Sequence, residues 1–390
     1  MKKILLVFKD KKKITKNHEF WNDKLSLKYQ VENFFIEDYL NYTNLEIINI
    51  LNNLIKKDNI NYTIIEGDHN SIIDKFFIDE ITNQTVKGLF LGDDNEWHDV
   101  NKVNSFGCDF ILTACPISEL KFKEYGIKSL FTPIEANGNI WKNYNHQKNI
   151  DVLYFGRIKK IRKIYLDYLS SSGFNILIVD PGNELSNTNV KLAKLINRSK
   201  IVLNFSKSGP ITRFWNRNKV FDYWYNFKGR IYMTSFCNTL CITEYDPAAS
   251  LLFNEDELPQ FNNIQECSTL IKKFLNDDEL LSKTTRKFFD KGQSFIDSNY
   301  IKKLEIFLSS IDGGRKKTIS LQYWYIFIHL NQSFRLRFKK RLYITIIKQF
   351  FENFIIYKKL KYKDYIFLNI LSLGIFLRYF LFLPFKIFNK

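Results

Sequence analysis

The feature that most constrains this chain is an alternation that runs through it twice. Short apolar runs at residues 4–8, 62–65, 87–92 (KGLFLG) and 110–113 (FILT) read as buried strands. Between them, residues 44–57 carry apolar side chains at helical spacing and end in lysines, and residues 116–125 read as a helix closed by Gly126. A polar, turn-rich stretch at 137–139 and 143–149 interrupts the pattern, which then restarts. Strands are predicted at 151–155 (DVLYF), 175–179 (NILIV), 200–205 (KIVLNF) and within 237–243, and helices at 164–171, 190–196, 264–275 and 280–289. Strands that alternate with helices make parallel sheets covered on both faces. The expected fold is therefore α/β: two Rossmann-like domains facing a cleft, spanning 1–145 and 146–312. A C-terminal helical, basic and aromatic extension at 313–390 follows the break at Ile311–Gly314. The 390 residues are too many for one ordinary core, which agrees with this division. In such sheets ligands bind outside the carboxyl ends of the strands.

Charge separates the extension from the body. The chain carries +17 in all. Residues 315–390 hold 16 Lys and Arg against Glu352 and Asp364, a balance of +14, so the remaining 314 residues carry only +3. A nucleic-acid-binding enzyme spreads basic charge over its body, so no nucleic-acid partner is expected. The five cysteines, Cys108, Cys115, Cys237, Cys241 and Cys267, form no CxxC pair and have no histidine cluster beside them. Neither a zinc site nor a disulfide framework is expected, and a reducing compartment fits. The apolar run of MKKILLVF is too short for a signal-peptide core and reads as a first buried strand.

The chemistry concentrates where the second pattern begins. Phe155-Gly156-Arg157 is followed by Lys159, Lys160, Arg162 and Lys163. A glycine lets the chain turn sharply off a strand end, and a guanidinium there grips two phosphate oxygens at once. The following helix adds a positive N-terminal end. The alternative is a solvated basic turn.

The motifs that follow resemble those of the spore-maturation-type glycosyltransferases, a GT-B-fold family with a group-1-like nucleotide-sugar domain. The resembling segments, in order, are Asp151-Val152 to Gly156-Arg157, then NRSKIVLNFS at 197–206, KGRIY at 228–232 and LCITEYDP at 240–247. More loosely, Leu91-Gly92-Asp93-Asp94, CDFILT at 108–113, Lys123–Gly126 and Ala136-Asn137 resemble its first half. The resemblance covers residues 85 to 310 and implies an enzyme, a glycosyltransferase using a nucleotide-sugar donor, without a metal or cofactor. It implies that Arg157 and Arg162, with Lys228 and Arg230, neutralise the diphosphate beside Gly156. Asn204, Ser206 and the Ser208-Gly209 turn would line the donor pocket. Asp93 and Asp94 would orient the acceptor or act as base, with helix capping as the structural alternative, and His98 and Glu135 are further candidates. One position departs from the family, which has Glu directly after the aromatic of the KGR motif. Here it is Met233, which accepts no strong hydrogen bond from a ribose hydroxyl. Asp222 or Glu244 would have to supply that acceptor, or the site is a degenerate, non-catalytic scaffold.

In the tail, Arg335, Arg337, Lys339, Lys340 and Arg341 form one basic cluster and Lys358, Lys359, Lys361 and Lys363 a second, among stretches rich in Phe, Tyr, Leu and Ile. Such a surface is drawn to anionic lipid. Residues 365–385 are about long enough to span a bilayer, but Asn369, Arg378 and Pro384 interrupt them, which favours lying in the interface. A helical cap over the body or an oligomer contact is the alternative. The expectation is a cytoplasmic enzyme, peripheral on the inner face of the membrane. Its expected acceptor is a cell-surface glycan or a lipid-linked molecule.

Overall fold

The computed structural model of the chain describes residues 1–9, 25–67, 72–92, 94–133, 137–158, 160–181, 183–207, 225–314, 323–357 and 362–381. They form two compact units, one of residues 1–113, 121–130 and 310–390 and one of 114–120 and 131–309. The tail helices thus group with the first unit, whereas the charge pattern had set 313–390 apart.

The first unit is built on β1 (Lys3–Phe8), β2 (Gln30–Phe35), β3 (Tyr62–Gly67), β4 (Val86–Leu91), β5 (Phe110–Thr113) and β6 (Lys128–Phe131), in the order β2-β1-β3-β4-β5-β6. Strand β1 runs parallel to both neighbours, with Ile4 opposite Val31 on one side and Tyr62 on the other. Ile4, Leu5, Leu6 and Val7 are all buried, as expected of a parallel strand covered on both faces. Strands β2 and β6 were not anticipated: QVENFF and KSLF lack the long apolar run of the central strands.

Helix α1 (Asn44–Asp58) starts at a capping box in which Thr43 and Glu46 satisfy each other's backbone N–H. It ends where Asn59 adopts a left-handed conformation. Ile47, Ile48, Leu51 and Ile55 line its buried face, each contributing on the order of 2 kcal/mol. Helices α2 (Lys75–Glu80), α3 (Asp94–Ser105) and α4 (Pro116–Glu124) follow. Gly88 in β4 lies under the Phe110 ring; a Cβ there would come within 2.1 Å of it. Asp109 accepts from Lys87 N in β4 with one oxygen and from Gly314 N with the other, tying the sheet to the start of the tail.

In the second unit, β7 (Ile150–Phe155), β8 (Ile176–Val179), β9 (Ser199–Asn204), β10 (Leu240–Glu244) and β11 (Gln260–Phe261) lie in the order β11-β10-β9-β7-β8. Neighbouring strands of this sheet pair in parallel, with Val152 opposite both Ile176 and Ile201. Packed around the sheet are α5 (Lys160–Ser171), α6 (Asn189–Asn197), α7 (Arg230–Phe236), the short α8 (Pro247–Ser250), α9 (Ile264–Leu275), α10 (Asp278–Gly292) and α11 (Asp297–Ser309). Helix α7 starts at the last residue of the KGR motif and runs on to Phe236. The strand expected within 237–243 therefore begins only at Leu240. Numbered within its own unit, each sheet reads 2-1-3-4-5, with one more strand in the first, so both halves are Rossmann-like sheets with a topological switch point beside their first strand. The five cysteines are free and buried.

The described tail comprises α12 (Tyr323–Lys339), α13 (Tyr343–Tyr357) and α14 (Tyr362–Leu381). Arg337 anchors it. Fully buried, its guanidinium donates to the carbonyls of Leu40 and Tyr42, to Asn44 Oδ1 and to Ser333 Oγ. Gln349 and Glu352 accept from the first N–H groups of α1, those of Asn44 and Leu45. Tyr325 OH accepts from Lys75 N, at the start of α2, and bonds Asn104 of α3. Residues 315–322, 358–361 and 382–390, with Lys358, Lys359 and Lys361, lie outside the described residues. Among the described residues no helix is long and apolar enough to cross a membrane.

Candidate functional site

The carboxyl edge of the second sheet gathers most of the residues singled out from the sequence. Strands β7 and β9 lie side by side there, one chain leaving toward β8 and the other toward β10, which opens the switch point. Strand β7 ends at Gly156, whose φ of +130° favours glycine. A Cβ at Gly156 would come within 2.5 Å of Arg230 Nη2, so this glycine makes room for a guanidinium.

Arg230 is the first residue of α7 and reaches back across both strands. Nη1 donates to Asn204 Oδ1 at 2.7 Å and Nη2 to the Phe155 carbonyl at 2.5 Å. The guanidinium lies over the Phe155 and Tyr154 rings. Arg162, in the first turn of α5, makes a second bridge. Its Nη1 donates to the Arg157 carbonyl at 3.1 Å and its Nη2 to the Lys207 carbonyl at 3.3 Å, joining the loop after β7 to the loop after β9. Tyr154 OH donates to the same Arg157 carbonyl. Arg162 Nε is buried without a hydrogen-bond partner among the described residues. Two cations are therefore fixed at the strand ends, each held by backbone carbonyls. The sequence had given them to phosphate alone, but the side chains first serve to hold the loops. Arg157 is exposed at the same turn.

Toward β10 the arrangement changes from cations to acids. Asn204 is fully buried and donates to Thr243 Oγ1, latching β9 to β10. Ser206 Oγ donates to the Tyr245 carbonyl. Glu244 is buried and accepts from the Lys207 backbone N–H, with Lys207 Nζ 3.2 Å from its other oxygen. Asn204 and Ser206 thus knit the floor of the edge, and Glu244 is already held by Lys207. Asp246 caps α8 through Ala248 N, and its second oxygen is buried with no hydrogen-bond partner among the described residues. Burial pushes its carboxyl up to about 6, against the pull of the α8 N–H groups and of Lys228. Sequence analysis passed over Asp246. Its signal was the Asp-Pro pair after a strand, a helix cap followed by proline at N1.

Met233 is buried in α7 and offers no acceptor, which leaves Glu244 and Asp246 as the carboxylates described at this edge. Ser208, Gly209 and Asp222 lie outside the described residues. A separate polar cavity of about 460 Å³ lies at the β11 edge among Tyr245, Gln260, Lys273 and Thr284, and none of the arginines lines it.

In the first unit, Asp93 and Glu135 lie outside the described residues. Asp94 opens α3 at the carboxyl end of β4 and is fully buried. One oxygen accepts from Asn101 Nδ2 at 2.8 Å and the other lies 2.7 Å from His98 Nδ1. His98 Nε2 lies 3.3 Å from Tyr125 OH, and the ring packs on Phe122. The carboxylate fixes the orientation of the imidazole, a pairing that i, i+4 spacing on a helix permits.

Residues 169–299 match a family described as Glycosyl transferase-like. No curated protein matches the sequence. Among solved structures the chain is similar to HepE from Anabaena in complex with UDP and glucose, at 11% identity and a TM-score of 0.57, covering 80% of this chain and all of that one. It is also similar to sucrose-phosphate synthase from Thermosynechococcus elongatus, at 8% identity and a TM-score of 0.52, over 80% of this chain and all of that one. A third is a UDP-N-acetylglucosamine 2-epimerase from Listeria monocytogenes, at 10% identity and a TM-score of 0.52, over 82% of this chain and all of that one. The fold is that of the GT-B glycosyltransferases, and the second unit holds a glycosyl transferase-like domain.

Proposed function

We propose that this chain, with its glycosyl transferase-like domain in the second unit, moves a sugar from a nucleotide-sugar donor to a hydroxyl of a cell-surface glycan or a lipid-linked acceptor. The observation that carries the reading is the pair of fixed guanidiniums, Arg162 and Arg230, at the β7–β9 switch point of that domain. HepE, which shares the fold, is bound to UDP in its crystal structure. A diphosphate at this edge would meet positive charge already held in place, so little reorganisation accompanies the growth of charge on the leaving group. In the transfer, the bond from the anomeric carbon to the diphosphate oxygen breaks, and the nucleoside diphosphate leaves with the electron pair. The acceptor oxygen bonds to that carbon and gives up its proton.

Of the two groups paired in α3, His98 suits the role of base and Asp94 that of orienting it. A buried carboxylate already accepting two hydrogen bonds is a poor proton acceptor, whereas an imidazole anchored through Nδ1 keeps Nε2 as an acceptor, here 3.3 Å from Tyr125 OH, which a substrate hydroxyl would have to displace or use as a relay. The basic tail supports a peripheral position on the anionic inner face of the membrane, close to a lipid-linked acceptor.

Calorimetric titration with UDP, GDP, ADP and their sugars tests the reading. Binding of at least one is expected, weakened in Arg230→Ala. Should none bind the full chain, the donor reading is lost. Binding without any turnover of donor would favour the non-catalytic scaffold, which Met233 supports.

A further inference from the structure

The tail helices bury one face and leave an unusual surface on the other. The inner face is settled: Asn353 donates to Ser372 Oγ, Phe350 stacks on Phe376, and Tyr379 OH bonds Asn331 of α12. A helix packed on a protein ordinarily turns polar residues to water. In α14 the exposed residues, among those whose side chains are described, are Ile366, Ile370, Leu373, Gly374, Leu377 and Arg378. The first five fall on one arc of the helix, and none is polar. Ile370 is 64% exposed. Helix α13 does the same with Ile344, 73% exposed, Ile347, and Phe351, 62% exposed, and Lys348 lies on that arc. Isolated exposed apolar residues are ordinary, but two adjoining helical arcs of exposed apolar side chains, broken only by Lys348, mark a binding face.

We infer that this face of α13 and α14 lies in an anionic lipid bilayer, with the apolar arcs among the acyl chains and the cations at the headgroups. Charge decides the occupant. The exposed charged side chains described in the three tail helices are Arg335, Lys339, Lys348 and Arg378, all positive; Lys340, paired with Glu37, and Arg341 lie in the turn between α12 and α13. The acid Glu352 is turned inward, onto Leu45 N. A second copy of the chain would set one +14 tail against another. An anionic headgroup layer complements the tail, and the apolar arcs match its interior. An apolar cavity of about 310 Å³, lined by Phe327, Ile370, Leu371, Gly374, Ile375 and Arg378, has the same makeup on a smaller scale: an apolar recess with one guanidinium. The inference names the membrane-binding residues of the tail proposed above to face the membrane, and it does not depend on the donor chemistry.

Flotation of the full chain tests it, using vesicles of phosphatidylglycerol mixed with phosphatidylcholine against vesicles of phosphatidylcholine alone. The expected enrichment on the anionic vesicles is about tenfold or more. Phe351→Asp combined with Ile370→Asp should lower it by at least about tenfold, with thermal melting and UDP titration unchanged, because both positions face solvent. Lys348→Glu combined with Arg378→Glu keeps the apolar arcs and should remove the preference for anionic vesicles. Equal flotation of the Asp variant and the parent chain overturns the inference, as does failure of the parent chain to float. So would loss of self-association, rather than of flotation, in the Asp variant. Each of these results leaves nucleotide binding as it was, so it can be told apart from a failure of the donor reading.

Discussion

The two sheets share one strand order and differ in what they place at the carboxyl edge. The second brings Arg162 and Arg230, each fixed by carbonyl oxygens, to its β7–β9 switch point, with the exposed Arg157 and the Glu244-paired Lys207 beside them. The first brings Asp94, His98, Asn101 and Tyr125 to the start of α3, a neutral-to-acidic group suited to moving a proton. Buried arginine serves both units, but to different ends. Arg337 closes the tail onto the first unit and sees no solvent, whereas Arg230 does similar bonding beside an open edge. The same guanidinium–carbonyl chemistry is a staple in one place and a preorganised charge in the other.

The largest test of this contrast is removal of the tail. A chain ending at Gly314 leaves the N–H groups of Asn44 and Leu45 without Gln349 and Glu352 and uncovers α2 and α3. The first unit should lose its cooperative melt while the second keeps its own, as read by calorimetry and hydrogen exchange. An unchanged melt would show that the tail is an accessory.

Arg230→Ala comes next. It leaves the Phe155 carbonyl and Asn204 Oδ1 unpaired and should cost the second unit about 3 kcal/mol. UDP affinity should fall with it, measured by titration below the melting temperature of the variant. Arg230→Lys keeps the charge but loses the fork, and should recover only part of each.

Asp246→Asn probes the same edge through pH. The folded carboxyl is raised from 3.8 to about 6, so the folded state holds its proton more tightly than the unfolded chain does. Stability conferred by this group is therefore full below pH 3.8 and declines as pH rises toward about 6, by about 3 kcal/mol in all. The variant should lose that slope in urea melts taken across the window; an identical slope in both proteins refutes the assignment.

The smallest effect is expected from Asp94→Asn, which keeps the size and the helix but weakens the hold on His98. It should cost about 1–2 kcal/mol and leave UDP binding intact. A loss of nucleotide affinity in this variant would break the separation of roles between the two edges.

Much of this architecture could be read in advance. The central strands announce themselves because a parallel strand buried on both faces must be apolar throughout, and KIVLNF or DVLYF can be little else. The bounds of α1 and α9 follow from a cap and a periodicity that are local in the chain. The edge strands β2 and β6 escaped because half-exposed residues need no such pattern. The strand order carries the segments of Gly156, Arg162, Arg230 and Glu244 to one edge.

Residue order determined which segments become strands and helices, and it concentrated charge in the tail, because those properties depend on neighbours a few positions away. Only packing in three dimensions decided that Arg162 and Arg230 would first bond carbonyls, that Asp94 would be buried beneath His98, and that Arg337 would be a core residue while Arg378 stayed outside. A side chain's solvent exposure and its partners come from residues distant in sequence, in the case of Arg337 almost 300 positions away. No local pattern encodes them.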